Sequence, residues 1–180
     1  MRFIVYDLEA TCWMGRPPKG ITEIIEIGAY KLDEYGQVLD IFNRFIRPEV
    51  NPNLSGFCRK LTSISQDNVN RAEIFPNVVL DFVEFCEVGI DEYLMCAWGP
   101  SDERLLRDDC KLHDMEHEWL EPHINIKKQY HKMKGNSLER GLKAVTKLEG
   151  FEFSGKQHRA VSDAENLAKI VAKYIDEWVY

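Results

Sequence analysis

The sequence predicts an α/β fold, a mixed sheet with helices packed on it, and three observations lead there. The first third of the chain holds three β-like apolar runs that read as a meander. The remainder alternates helical periodicity with short buried strands, an order that builds a sheet flanked by helices. The length of 180 residues with 44% apolar side chains fills one core and leaves little room for two. Residues 1–180 are therefore read as a single domain.

Each element has its own local warrant. Arg2–Leu8 is a short apolar run suited to a buried strand, with Phe3, Val5 and Asp7 on one face. Glu23–Leu32 and Val38–Ile46 flank Asp33-Glu34-Tyr35-Gly36-Gln37, a Gly-bearing connection that reads as a hairpin. Pro48 and Pro52 then end the extended segment, and from about Gly56 the pattern turns helical. Ser65 is placed to cap a helix entry. Phe75–Glu87 carries Val78, Val79, Phe82, Val83, Phe85 and Cys86 at mostly helical spacing. Tyr93–Trp98 is a second buried strand, followed by a helix from Ser101 to about His113 with Ser101 as its cap. His123–Ile126 adds a strand, Ser137–Leu148 a helix, and Ser162–Val179 a long terminal helix. Phe82, Phe85 and Trp178 are assigned to the core rather than to a stacking surface.

Composition excludes several classes. With 30 Asp and Glu against 23 Lys and Arg, the net charge is −7, which argues against bulk coating of nucleic acid or anionic membrane. No stretch approaches the roughly 18 apolar residues of a membrane span, so no membrane partner is expected. Asp7 and Glu9 come too early for a signal peptide. The five scattered cysteines contain no C-x-x-C pair, a usage ordinary for reduced thiols, and the expected location is cytoplasmic. His113, His117, His123 and His131 lack ligand-like spacing, so no zinc is assigned.

The chemistry gathers on carboxylates. Asp7 and Glu9 are two apart at a strand end, so both can face one cation, and their hard oxygen donors suit Mg²⁺ or Mn²⁺. Asp102 follows the strand Tyr93–Trp98 and a Gly99-Pro100 turn, at the sheet edge where α/β sites form. Asp163 enters the terminal helix, and His158, on the loop before it, offers an imidazole that can take a proton from an attacking water. Four carboxylates and one histidine from these positions meet the needs of two-metal phosphodiester hydrolysis, with two divalent cations roughly 4 Å apart.

At these residues the chain resembles the DEDDh 3′-to-5′ exonucleases of the RNase H-like fold. The matches are Asp7-Leu8-Glu9-Ala10-Thr11-Cys12, Asp102, and His158 to Asp163 with four residues between. Further stretches, among them Glu23-Ile24-Ile25-Glu26-Ile27, Leu54-Ser55-Gly56-Phe57-Cys58 and Leu61-Thr62-Ser63-Ile64-Ser65-Gln66, look most like one branch of that family. That branch trims histone-message tails, ribosomal RNA ends and small interfering RNAs; the bacterial KapD-type exonucleases look like relatives too. Eukaryotic members of it can carry an extra nucleic-acid-binding domain outside the region matched here.

The resemblance implies an RNase H-like mixed sheet and a metal-dependent 3′-to-5′ exonuclease. Its substrate would be the 3′ ends of single-stranded RNA or DNA, with RNA favoured, and its products nucleoside 5′-monophosphates. Asp7, Glu9, Asp102 and Asp163 would hold two Mg²⁺ or Mn²⁺ ions, and His158 would be the general base. Ala10 and Thr11 would approach the terminal hydroxyl, while Phe57, Leu61 and Thr62 would line the pocket for the last nucleotide. Relatives often carry an aromatic residue just before the second-motif Asp; here that position is Ser101, with Trp98 three residues earlier and Trp13 as another candidate for stacking. Charge is uneven too. Asn125–Leu148 carries Lys127, Lys128, Lys132, Lys134, Arg140, Lys143 and Lys147 against Glu139 alone, a +6 segment in a chain otherwise at −13, and it reads as a phosphate-tracking flank. Two alternatives stay open: a DNA-directed exonuclease of the same family, and a non-catalytic RNA-end-binding protein on the same fold.

Overall fold

The computed structural model describes residues Met1–Tyr180. Five strands form one sheet in the order β3-β2-β1-β4-β5. They are β1 (Arg2–Ala10), β2 (Ile24–Leu32), β3 (Val38–Phe45), β4 (Tyr93–Ala97) and β5 (His123–Asn125). β1 pairs antiparallel with β2 and parallel with β4, which makes the sheet mixed as expected. The β2–β3 connection is the predicted hairpin. Asp33 Oδ1 accepts from the Tyr35 and Gln37 backbone N–H groups, and Gly36 takes φ +79° where the chain reverses.

Alternation along β1 sorts the core into two layers. Ile4, Tyr6 and Leu8 face one side, against α3 (Phe75–Phe85) and α4 (Pro100–Leu112). Phe3 and Val5 face the other, against α5 (Ile126–Met133), α6 (Leu142–Leu148) and α7 (Ala160–Lys173). Two short helices, α1 (Gly56–Thr62) and α2 (Gln66–Asn70), close a third, smaller cluster around Ile25 and Cys58. Ser65 caps α2 in a reciprocal capping box with Asn68. Phe82, Phe85 and Trp178 are buried, as their spacing implied.

Four expectations are corrected. The lysine-rich stretch holds two helices rather than one: α5 starts at Ile126, because Asn125 Oδ1 caps it by accepting from Lys128 N–H at 2.9 Å. Residues 134–141 are then a connection, and α6 begins only at Leu142, after Gly141. The cap of α4 is Gly99, without a side-chain bond, and Ser101 lies inside the first turn behind Pro100. The terminal helix ends at Lys173 and gives way to a 3-10 turn at Ile175–Glu177. No helix is long and apolar enough to cross a membrane.

Candidate active site

The site forms where β1 outruns its neighbour. Pairing between β1 and β4 stops at Val5 with Cys96, while β1 continues to Ala10. The residues beyond Val5 keep the alternation, so Asp7 and Glu9 present their carboxylates on the face of Phe3 and Val5, toward α7. Opposite Asp7 on β2 stands Gly28. A Cβ there would lie 2.2 Å from Val161 N, so the first turn of α7 rests directly on the strand backbone.

That close approach delivers Asp163 and His158. Asp163 sits in the first turn of α7, and its Oδ2 accepts from the His158 backbone N–H at 2.9 Å. His158 adopts φ +62°, a left-handed turn that brings the imidazole back over the strand. Ligand-capable atoms of Glu9, His158 and Asp163 all lie within 4.8 Å of one another. Asp102 approaches Asp7 from the start of α4, close enough for the two charges to repel, but stays outside the cleft that Asp7, Glu9 and Asp163 line.

The electrostatics are those of crowded acids. Burial, then the charges of Asp102, Asp163, Glu9 and Glu26, push Asp7 well above the usual carboxylate range. Burial together with neighbouring carboxylates lifts Glu9 to about 8, and burial above all lifts Asp102 to about 6. Asp163 is raised by burial as well, with partial relief from the His158 N–H and from nearby His158 and Lys143. Carboxylates under this mutual repulsion present hard oxygens of the kind that suits a divalent cation.

The residues expected to touch substrate divide. Thr11 is buried, and its Oγ1 accepts from Glu23 N–H at 2.9 Å, leaving its own proton free to donate. Helix α1 is tied to the end of β1: Ser55 Oγ donates to Cys12 O at 2.6 Å, and Cys58 Sγ to Ala10 O at 3.6 Å. These ties hold Ala10 and α1 side by side, with Phe57 40% exposed and Leu61 half-buried. Thr62 departs from the expectation. It is fully buried, its hydroxyl donating to Cys58 O and accepting from Ile64 N–H, so it closes the helix end instead of offering a group to a ligand.

Asp7, Glu9, His158 and Asp163 open onto a cleft of about 620 Å³ whose other wall is Trp98, Leu142, Lys143 and Lys147. This sorts the basic segment. Only Lys143 and Lys147, one turn apart on α6, face the cleft. Lys134 is bound to Glu149 and to the Tyr174 hydroxyl, and Lys127 pairs with Glu139 at 3.3 Å. Lys128 and Lys132 border a different cavity beside the C-terminal tail. Sequence reasoning missed two residues around the site, Glu26 and Arg159, which form an ion pair at 2.7 Å with the carboxylate fully buried and the guanidinium partly exposed. The available signal was a lone acid inside the apolar run of β2.

Comparison with known proteins places this geometry. A family model described as Exonuclease (RNase_T) matches residues 4–171. The human protein named 3'-5' exoribonuclease 1 is 32% identical over 181 residues, covering 96% of this chain. The chain spans about half of that relative, 52% of its length. The Schizosaccharomyces pombe 3'-5' exonuclease eri1 is 29% identical, over 97% of this chain and 68% of its own. Among solved structures, the nuclease domain of 3'hExo, a DEDDh family member bound to rAMP, superposes with a TM-score of 0.87 at 31% identity. That likeness covers 97% of this chain and 92% of the other. Exonuclease I, at 14% identity and a TM-score of 0.77, shares the fold alone. With sheet order, carboxylate cleft and family model in agreement over nearly its whole length, the chain belongs to the RNase_T exonuclease family, in its DEDDh group.

Proposed function

We propose that the chain is a metal-dependent 3′-to-5′ exonuclease that removes nucleotides from the 3′ end of single-stranded RNA as nucleoside 5′-monophosphates. The observation that carries this reading is the single cleft joining Asp7, Glu9, His158 and Asp163 to a wall bearing Lys143 and Lys147. Relatives named exoribonucleases, and a structural neighbour holding rAMP, support RNA over DNA as the substrate.

The donor set fits the cofactor, since the family depends on metal and these oxygens are hard, buried and mutually repelling. Asp7, Glu9, Asp102 and Asp163 would hold two divalent cations, Mg²⁺ or Mn²⁺, which when bound supply positive charge to the attacking and leaving oxygens. The chain's own residues do the rest. Thr11 and the Glu9–Thr11 backbone meet the terminal hydroxyl, which an internal nucleotide lacks. Phe57 and Leu61 pack on the last sugar and base. Lys143 and Lys147 hold phosphates upstream. His158 accepts the proton of the attacking water as its oxygen bonds to phosphorus. The phosphorus–O3′ bond then breaks, the departing oxygen takes a proton from solvent water, and the shortened strand is left with a 3′-hydroxyl while the released nucleotide keeps the 5′-phosphate.

The same reading takes residues 1–180 as one exonuclease domain, supported by one continuous sheet. It places the protein in the cytoplasm, where its five free thiols, four of them buried, suit the reducing environment. The test is degradation of end-labelled single-stranded RNA and DNA in parallel with Mg²⁺, Mn²⁺ or chelator. RNA shortened faster than DNA, only with metal, supports the reading. Equal or greater activity on DNA replaces it with the DNA-directed alternative, and binding without turnover replaces it with the end-binding one.

A further inference from the structure

We propose that Glu26 and Arg159 are positioning residues that fix where His158 stands over the carboxylates and so set the rate of the chemical step. The inference rests on the exonuclease reading above. Glu26 lies on β2 directly opposite Glu9, on the same face of the sheet, and its side chain is wholly buried. It accepts from Arg159 Nε at 3.1 Å and from an Arg159 terminal nitrogen at 2.7 Å, a two-pronged grip on the guanidinium. The same carboxylate accepts from Ala160 N–H at 3.0 Å.

That last bond gives the pair its purpose. Arg159 is the N-cap of α7 and offers no side-chain cap of its own. Glu26 therefore caps α7 from a neighbouring strand, placing a negative charge at the positive end of a 14-residue helix. The guanidinium also lies over the Phe45 ring, 5.2 Å from its centre, which fixes the side chain on its other face. His158 is the next residue back, and its φ of +62° is a strained conformation that the surrounding contacts must hold. Asp163 holds its N–H, and the Glu26 grip holds Arg159 beyond it.

Neither Glu26 nor Arg159 borders the cleft, so neither touches substrate there, and His158, next in the chain to Arg159, is the cleft residue that their grip holds in place. Pairing also matters for charge. A bare carboxylate opposite Glu9 would add to the crowding, whereas the Arg159 charge eases it.

The test is a cycle in the full chain at saturating Mn²⁺: Arg159→Gln, Arg159→Lys and Glu26→Gln, each made alone and in a His158→Ala background. Arg159→Gln is expected to lower kcat at least about tenfold with KM and Mn²⁺ affinity nearly unmoved, and Arg159→Lys to restore part of the loss. In the His158→Ala background the same changes are expected to alter residual kcat by less than about threefold. Losses that multiply in that background, or that fall mainly on KM, overturn the proposal. Should Arg159→Gln not fold, Arg159→Lys and Glu26→Gln carry the same comparison. A readout independent of turnover separates this proposal from the functional reading. The His158 imidazole NMR resonance, assigned by its loss in His158→Ala, is expected to move in Arg159→Lys, and an unmoved resonance overturns the proposal even if the wild type degrades nothing.

Discussion

At the scale of a single residue, His158 is the general base of the proposed mechanism. Its left-handed backbone costs roughly 1–2 kcal/mol relative to the usual right-handed or extended state, and one hydrogen bond, from its N–H to Asp163, helps to keep it there. As general base it is expected to be worth roughly 10²–10⁴-fold in kcat, so His158→Ala should lower turnover by that range while Mn²⁺ binding persists, as calorimetry would register. Asp7→Ala and Asp163→Ala should instead abolish activity, and full metal-dependent turnover by either would remove the proposed mechanism. Gly28 is equally demanding for a steric reason. Its Cβ would meet backbone at 2.2 Å, so Gly28→Ala should destabilise by roughly 1–3 kcal/mol in denaturant melts and reduce kcat as α7 is pushed from Asp7. The meeting of Asp7, Glu9, His158 and Asp163 at one cleft was legible from the sequence because strand parity and helix entry fix where these side chains point. Thr62 was not, because a threonine that bonds its own helix end looks the same in sequence as one that faces a ligand.

At the scale of elements, α5, α6 and α7 meet at Glu149. Burial pushes its carboxyl up, but hydrogen bonds from Lys173, Tyr130 and Tyr174 and the charge of Lys134 prevail and bring it down to about 2. A folded pKa below the unfolded one means stability that is complete above about 4.5 and lost as pH falls toward 2. Glu149→Gln should therefore lower Tm at pH 7, and the gap from wild type should close as pH drops from 5 to 2; a gap constant over that window contradicts the assignment. The basic run divides along the same helices. Charge reversal at Lys143 and Lys147 should raise KM and make the salt dependence of binding shallower, by about 0.7 in log–log slope for each phosphate no longer neutralised. Reversal at Lys134 should act on Tm, because that ammonium already belongs to Glu149 and Tyr174. Sequence could count these cations but not sort them, since the break between α5 and α6 is set by Asn125 capping one helix and Gly141 preceding the next.

For the whole molecule, the net charge of −7 resolves into parts with different work. Three carboxylates, Asp7, Glu9 and Asp163, line one cleft with Asp102 close enough to repel Asp7, and two lysines face them across about 620 Å³. The sheet class was readable from the meander and the later alternation, because apolar period records burial directly. The strand order and the gap beyond Val5 were not, because they depend on which long-range pairs form. A cation that binds only the folded chain must also stabilise it, so Mn²⁺ should raise Tm of the wild type and do so far less in Asp7→Ala.

The most direct test of the proposed activity follows 5′-labelled single-stranded RNA with a free or a blocked 3′-hydroxyl, with Mg²⁺ and with chelator. The expected result is a ladder shortening from the 3′ end, nucleoside 5′-monophosphate as product, and no cleavage when the hydroxyl is blocked or metal removed. Cleavage at internal positions, or undiminished shortening of the blocked strand, would contradict it.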